Sequence, residues 1–467
     1  MPAVFDESHL TALRDGLHGT AIVEGDDAYE ESRTVFNAMI DRRPAVIVQC
    51  EGASDVARAL EFARVTGLEV AVRGGGHSVA GMAMADGGVV IDLRRMNAVE
   101  VDPEAKTAIV GGGATMSHLD RACEPHELAT TGGRVSTTGV GGFTLGGGTG
   151  WLDRKFGLAC DNLLAAELVT ADGRTVRVAE DENPDLFWAL HGGGGNFGVV
   201  TSLTMRLYSL PAATLALLLY PPERGPEVAR VYRDVLEAGP DELGGGLLYF
   251  TGPEGEEFVP ENLVNQLTLA IVVAYAGPED DARLAIAEFL NLGPAGQMIA
   301  EMPYADLNSA LDDPPGYRNY WSAEHLDSFP DPAVDAFCAR ASDMIVPSAS
   351  QHVLFPMGGA GGRGPSDYPI PWRRSRWVVH PFGLWTDPAD DERGIRWTRD
   401  VRADVHPWAT GAVYLNFIGD EGTERVVAGL GQDNYDRLAA IKAEWDPENV
   451  FHLNHNIAPI HPSPAGV

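Results

Sequence analysis

Two glycine clusters constrain this chain more than any other feature: RGGGHSVAG at 73–81, ending a β-branched run, and TTGVGGFTLGGGTGW at 137–151. Glycine carries no Cβ, so successive peptide N–H groups can turn into one concave loop and approach a ligand closely. Such a loop is an anion-binding nest, and phosphate is its natural guest. The same composition also serves tight turns, and either cluster alone leaves both readings open. Neither matches the dinucleotide fingerprint, which needs GxGxxG between a strand and a helix with an acidic residue about twenty positions on. After RGGGHS the chain runs through AGMAMADGG into another strand. The Walker pattern GxxxxGK[ST] is absent too, because no lysine lies in either loop. The clusters therefore argue for phosphate binding outside the NAD-type Rossmann and P-loop folds.

Around the clusters, short helical patterns alternate with β-branched runs, which predicts mixed helix and strand. AVIVQC (45–50), LEVAVRGGG (68–76), GGVVIDL (87–93) and KTAIVGGG (106–113) read as strands, SDVARALEFARVTG as a helix, and a further helix is expected over about Met116 to Cys123. LLAAELVTADGRTVRVAE supplies two strands joined at ADG, PDLFWALHG a short helix, and NFGVVTSLTMRLY a strand, so a first domain closes near Leu210. Beyond Pro211 the apolar strands TLALLLY, GGLLYF and LTLAIVVAYAG alternate with the helices PEVARVYRDVLEAG and DDARLAIAEFLN. That texture predicts a second domain, an antiparallel sheet backed by helices. The last helix, DNYDRLAAIKAEWD, leads into PENVFHLNHNIAPIHP, which reads as a tail returning to the body.

At 467 residues two domains or one large composite fold are expected, and 45% hydrophobic with 22% charged residues describes an ordinary globular chain. The net charge of −33, with Lys106, Lys155 and Lys442 as the only lysines, repels phosphate backbones and anionic lipid. Nucleic-acid and membrane partners are thus not expected. The acidic surface fits a high-salt habitat and a GC-rich genome equally. No apolar run spans a bilayer and the first residues lack a leader pattern, so the expected location is cytoplasmic. Cys50, Cys123, Cys160 and Cys338 are scattered, with no CxxC pair, and read as buried thiols; no metal site is expected.

Five blocks in one order carry a resemblance: RGGGHS (73–78), TGVGGFTLGGGTGWLDRKFGLACDN (138–162), GGGGNFGVVTSLTMRL (192–207), ATGAVYLNFIGDE (409–421) and YDRLAAIKAEWDPENVFHLNHNI (435–457). Together they resemble the FAD-linked oxidases related to berberine bridge enzyme and 6-hydroxy-D-nicotine oxidase, of the vanillyl-alcohol-oxidase type. The resemblance implies an α+β chain. A bipartite PCMH-type FAD-binding domain of two α/β subdomains would occupy 1–210, the substrate domain 211–420, and a segment returning to the first domain 421–467.

It also implies roles. Arg73, Gly74, Gly75, Gly76, His77 and Ser78 would wrap the FAD pyrophosphate, with His77 bonded to the flavin 8α carbon. Thr138, Gly139, Gly141, Gly142 and Gly148 belong to the second cradle. Relatives that carry a second bond use a cysteine within CPxxGxGG. Val135 stands in that place here, so a monocovalent flavin is expected. Gly198 and Val200 would pass the adenine end, although GVVTSLTMRL is equally a buried strand. AVYLNF matches a strand over the flavin ring, which makes Tyr414 the first candidate for a proton acceptor or substrate-orienting group, with Asn416 beside it. A tyrosine near pKa 10 must be lowered to act as a base at neutral pH. Asn454 and Asn456 would hydrogen-bond near the pyrimidine ring, with His455 where relatives often carry Gln. Tyr317, Tyr320, Trp321, His325, His380 and Trp385 are pocket candidates, each of them as readily a core residue.

The implied reaction removes a proton from an O–H or N–H of a small-molecule substrate while hydride passes from the adjacent carbon to flavin N5, with O2 as reoxidant. The alternatives are a dehydrogenase with a quinone or protein acceptor, a non-catalytic flavin-binding protein, and a UDP-sugar reductase on the same cofactor domain. Neither the substrate nor the oligomeric state is legible in the motifs.

Overall fold

The structure, a computed structural model, describes residues 5–313 and 315–460. Residues 1–4, Pro314 and residues 461–467, the last stretch of the expected returning segment, lie outside the described residues. The fold is α+β, as expected, with three principal sheets.

The first sheet has the order Thr20–Ile22, Val46–Gln49, Val89–Asp92, Val70–Arg73. Its last three strands are parallel, and the required crossover is the helix Ala53–Thr66. Burial on both faces explains why Val89–Asp92 is apolar until its last residue. The second sheet is antiparallel, in the order Val99–Asp102, Thr107–Gly111, Val199–Arg206, Leu163–Val169, Thr175–Ala179. The ADG turn sits where expected, closed by the Thr170 amide donating to the Arg174 carbonyl at 2.9 Å.

The third sheet holds eight antiparallel strands, with Ala213–Tyr220, Leu267–Tyr275, Leu243–Thr251, Gln351–Pro356 and Trp377–Trp385 adjacent in that order. Its strands alternate faces with period two. Leu218, Tyr220, Leu247, Tyr249, Ile271 and Val379 pack beneath the helices Gly225–Ala238, Asp331–Arg340 and Asp391–Val405. Leu215, Leu219, Leu248, Val272, Val353 and Phe355 point to the opposite face, toward the glycine-rich half of the molecule. The stretch expected as one helix, DDARLAIAEFLN, is two short helices meeting at Ile286, which is buried in the core under the sheet.

A larger departure concerns AVYLNF, expected as a strand. Tyr414 is extended and Leu415–Phe417 forms a single 3₁₀ turn, with no strand partner. The segment crosses between two cores: Val413, Leu415 and Ile418 enter the core of the antiparallel sheet, and Tyr414 enters the core on the face of the eight-stranded sheet turned away from its helices. Side-chain anchoring on both sides replaces ladder hydrogen bonds. The helices Thr423–Leu430 and Gln432–Trp445 continue into the first of these cores through Val426, Leu430, Leu438 and Ile441. Among the described residues no helix is long and apolar enough to cross a membrane.

Candidate active site

The two glycine clusters meet at one point. A Cβ on Gly75 would fall inside contact distance of the Gly139 backbone nitrogen, and one on Gly139 would strike the Gly75 nitrogen. Backbone cannot rotate aside, so both positions must be glycine for the loops to cross. Gly76 has φ +76°, the left-handed region that turns the loop. Past this crossing the amides of Gly75, Gly76, His77 and Ser78 donate to no acceptor among the described residues. Four such donors on one turn form a nest that fits a diphosphate.

The nest opens into a cavity of about 720 Å³ that runs between the glycine loops and the inner face of the eight-stranded sheet. Gly74, Gly75, Gly76, His77 and Ser78 line it, as do Val135, Thr138, Gly139, Gly141, Gly142, Gly198, Val200, Tyr414, Asn416 and Asn454. Three expected members do not. Arg73 is buried with its guanidinium turned away, donating to the Ser32 carbonyl at 2.5 Å and the Thr34 carbonyl at 2.6 Å, so it braces the loop from behind. Gly148, at φ +82°, packs against Ala159 and Phe143 behind the second cradle. Asn456 gives its Oδ1 to the Lys442 ammonium at 3.4 Å.

His77 is held on two sides. Phe36 stacks on its ring at 4.2 Å, and Nε2 lies 2.8 Å from the Thr137 hydroxyl. Burial pulls its pKa down to about 4, so the imidazole is neutral at physiological pH. Cys123 and Cys160 are buried outside the cavity lining, and burial drives the Cys123 thiol up to about 12.

Tyr414, at the cavity wall, is 0% exposed, and its hydroxyl accepts from Asn416 Nδ2 at 3.0 Å. Burial pushes its pKa above the ordinary tyrosine value. Asn416 also reaches the Gly142 carbonyl at 3.3 Å and so joins the crossover segment to the second cradle. Asn454 donates to the Phe451 carbonyl at 2.9 Å and leaves its Oδ1 unpartnered.

Of the second-domain candidates, Trp321 and His380 line the cavity, whereas Tyr317, Tyr320, His325 and Trp385 do not. Sequence reasoning missed several groups. Arg134 lines the cavity with its guanidinium 4.0 Å over the Phe355 ring, donating to the carbonyls of Thr149 and Gly150 at 3.2 Å each and facing Asp153 at 3.8 Å. Asp313 lines it beside Gln351, which donates at 2.9 Å; burial and the charge of Asp312 push its carboxyl up to about 7. Fully buried Lys442 donates to the Phe451 carbonyl at 2.8 Å and to Asn196 Oδ1 at 3.3 Å, tying the tail to the GGGGN loop. Only Lys442 left a trace in the sequence, as one of three lysines.

A diphosphate nest that leads past a neutral histidine into an apolar cavity fits a dinucleotide with a planar ring system. Comparison with known proteins agrees. The family model for a FAD binding domain matches residues 44–179, and that for berberine and berberine-like proteins matches residues 413–458. The chain is 32% identical over 461 residues to (R)-6-hydroxynicotine oxidase of Paenarthrobacter nicotinovorans, covering 95% of this chain and 97% of the relative. It is 31% identical to the FAD-linked oxidoreductase hasG of Aspergillus fumigatus, covering 92% and 95%. Among solved structures, 6-hydroxy-D-nicotine oxidase from Arthrobacter nicotinovorans superposes with a TM-score of 0.86 at 29% identity, over 95% of this chain and 98% of that one. A chitooligosaccharide oxidase shares the fold at 21% identity and a TM-score of 0.83, over 97% and 100%. The chain thus belongs to the berberine-like family of FAD-linked oxidases.

Proposed function

We propose that this oxidase acts on a small, largely apolar molecule at a carbon bearing a hydroxyl or an amine nitrogen, with FAD tethered through His77 alone and O2 as the final electron acceptor. The observation that carries the reading is the continuity of the cavity, from the unpaired amides of Gly75 to Ser78, past His77, to the leucine-lined face of the sheet. FAD, when bound, supplies the two-electron acceptor and returns those electrons to oxygen.

The protein's own residues do the rest. The Gly75–Ser78 amides and the second cradle bind the diphosphate. His77, kept neutral and fixed by Phe36 and Thr137, would be the residue that holds the flavin at its 8α position through a ring nitrogen. Val135 offers no nucleophile on the other side, which leaves one tether. Tyr414 and Asn416 form a fixed hydrogen-bonding pair that orients substrate, and Leu215, Leu217, Leu219 and Leu248 exclude water from the reacting groups.

Acid precipitation of the purified protein tests the tether. The yellow colour should stay with the pellet, map to the peptide bearing His77, and move to the supernatant in His77→Ala. Full release from the unaltered protein would refute covalent attachment, and label on a cysteine peptide would refute the single link.

A further inference from the structure

Two carboxylates near the cavity have a cation to answer them: Asp306 takes Arg121 at 2.7 Å, and Asp153 faces Arg134 at 3.8 Å. Further along the same loop, Asp312 and Asp313 both line the cavity, and neither forms an ion pair among the described residues. Asp312 is occupied by neutral donors. The Ser136 amide donates to its Oδ1 at 2.6 Å and the Ser136 hydroxyl to its Oδ2, which ties the loop to the second cradle. At Asp313, Gln351 Nε2 donates to Oδ1 at 2.9 Å, and no described residue donates to Oδ2. The arginine of the cavity stands too far off to serve. Arg134 covers Phe355, and Phe355 shares a strand face with Gln351 four residues away, a span of roughly 13 Å. Asp313 is enclosed by protein and opens on the cavity, so burial and the charge of Asp312 push its carboxyl up to about 7 with no cation to oppose them.

We propose that Asp313 is a specificity-determining contact for an amine substrate, whose ammonium N–H donates to Asp313 Oδ2 while its apolar stem lies along the sheet. The proposal rests on reading the cavity as the substrate site. A buried carboxylate without a counter-charge is costly, and a cation brought by the ligand removes that cost. The charge around the contact has one sign. Asp312 stands beside it, Glu256 is exposed elsewhere in the lining, and the chain carries a net −33, all of which favour a cation over an anion. A hard divalent metal takes about six oxygen ligands, which one free carboxylate oxygen and a carboxamide do not supply, and no group of His, Cys, Asp and Glu among the described residues could hold one. An ammonium needs less. One N–H meets Oδ2, and the stem finds Phe382, the sheet partner of Gln351, with Trp321 against it at 4.1 Å.

Isothermal titration calorimetry on the purified full-length protein, from about pH 8 to about pH 6, tests this with cyclohexylmethylamine, cyclohexylmethanol and cyclohexanecarboxylate. The three share one apolar stem and differ in charge. Heat reports binding whether or not flavin is present, so a chain without flavin would defeat the oxidase reading and leave this result intact. At the upper pH the amine should bind about ten-fold tighter than the alcohol, as one hydrogen bond to a charged group predicts, and the carboxylate weakest. That preference should shrink as pH falls through about 7 and Asp313 takes up a proton. His77 and His380, both held down to about 4 by burial, and His455, held below its ordinary value, stay neutral across this window. Asp313→Asn should bring amine and alcohol to equal affinity at every pH. Asp312→Asn should keep the preference and move its midpoint to lower pH, because the charge that raises Asp313 is gone. Equal binding of amine and alcohol to the unaltered protein, undetectable binding of both, tighter binding of the carboxylate, a preference indifferent to pH, or one that survives in Asp313→Asn would each overturn the proposal. The pH series on the unaltered protein decides the matter even if a variant fails to fold.

Discussion

The two ends of the cavity are built from different materials. The cofactor end is made of backbone: crossing glycine loops whose amides are left unpaired, with side chains such as Arg73 and Lys442 bracing from behind. The sheet end is made of side chains: leucines, aromatics and one histidine, drawn from strands far apart in sequence. Where the backbone cradles cross, at Gly75 and Gly139, they tolerate no added atom yet ask little of their neighbours' identity. Side-chain walls can change one residue at a time while the sheet beneath them stands. The cofactor end should therefore be brittle and the substrate end adaptable.

The harshest test is Gly139→Ala. The added methyl meets the Gly75 nitrogen, which cannot move without opening the nest. We expect destabilisation of about 3 kcal/mol or more and no flavin-bearing protein on purification. Recovery of stoichiometric flavin would break the contrast between the two ends.

Lys442→Met comes next. It leaves Asp446, also 0% exposed, as a buried charge without its partner 3.4 Å away, and it frees the tail from the GGGGN loop. Losing one partner of a buried pair costs about 3 kcal/mol. Thermal unfolding should register that loss, and flavin retention should fall with it.

Acid should weaken both ends, and His352 allows the cause to be isolated away from the cavity. Its Nε2 lies 2.9 Å from the Phe337 carbonyl, and burial pulls its pKa down to about 4, against about 6.5 in the unfolded chain. Between those values the unfolded state binds a proton that the folded state refuses. The stability contribution is thus complete above about pH 6.5 and is lost as pH falls toward 4. The unfolding midpoint of His352→Gln, followed from pH 7 to 4, should fall less steeply than that of the unaltered protein; an unchanged slope would remove His352 as a source.

The mildest change is Leu217→Ala at the adaptable end. Leu217 is half-buried and faces the cavity, so stability should drop by only about 1 kcal/mol. Probe affinity should shift while flavin content stays constant. A loss of flavin here would mean that the two ends are mechanically coupled.

Much of the cofactor end was legible in the chain. RGGGHS and TTGVGG announce a nest because the property they encode, a backbone without Cβ, is local. The strands around them were legible for the same reason, since period-two burial leaves its mark within a few residues. The chain was silent where a role depends on what lies across the fold. Arg73 sits inside the motif but finds Ser32 and Thr34 behind it. AVYLNF has strand composition but crosses between two cores where no strand pairs with it. Tyr414 was expected at the ring, and the burial that raises its pKa is a property of its surroundings.

By itself, then, the sequence determined two glycine-rich loops, one histidine at their edge, and a sheet-based second half. The tertiary structure decided which aromatics face inward, and where an arginine and a carboxylate stand in the same cavity. Those facts depend on pairing residues hundreds of positions apart, such as Ser136 with Asp312 and Arg134 with Phe355. No local pattern encodes such pairs, because each side chain's chemistry is set by the neighbours that folding brings to it.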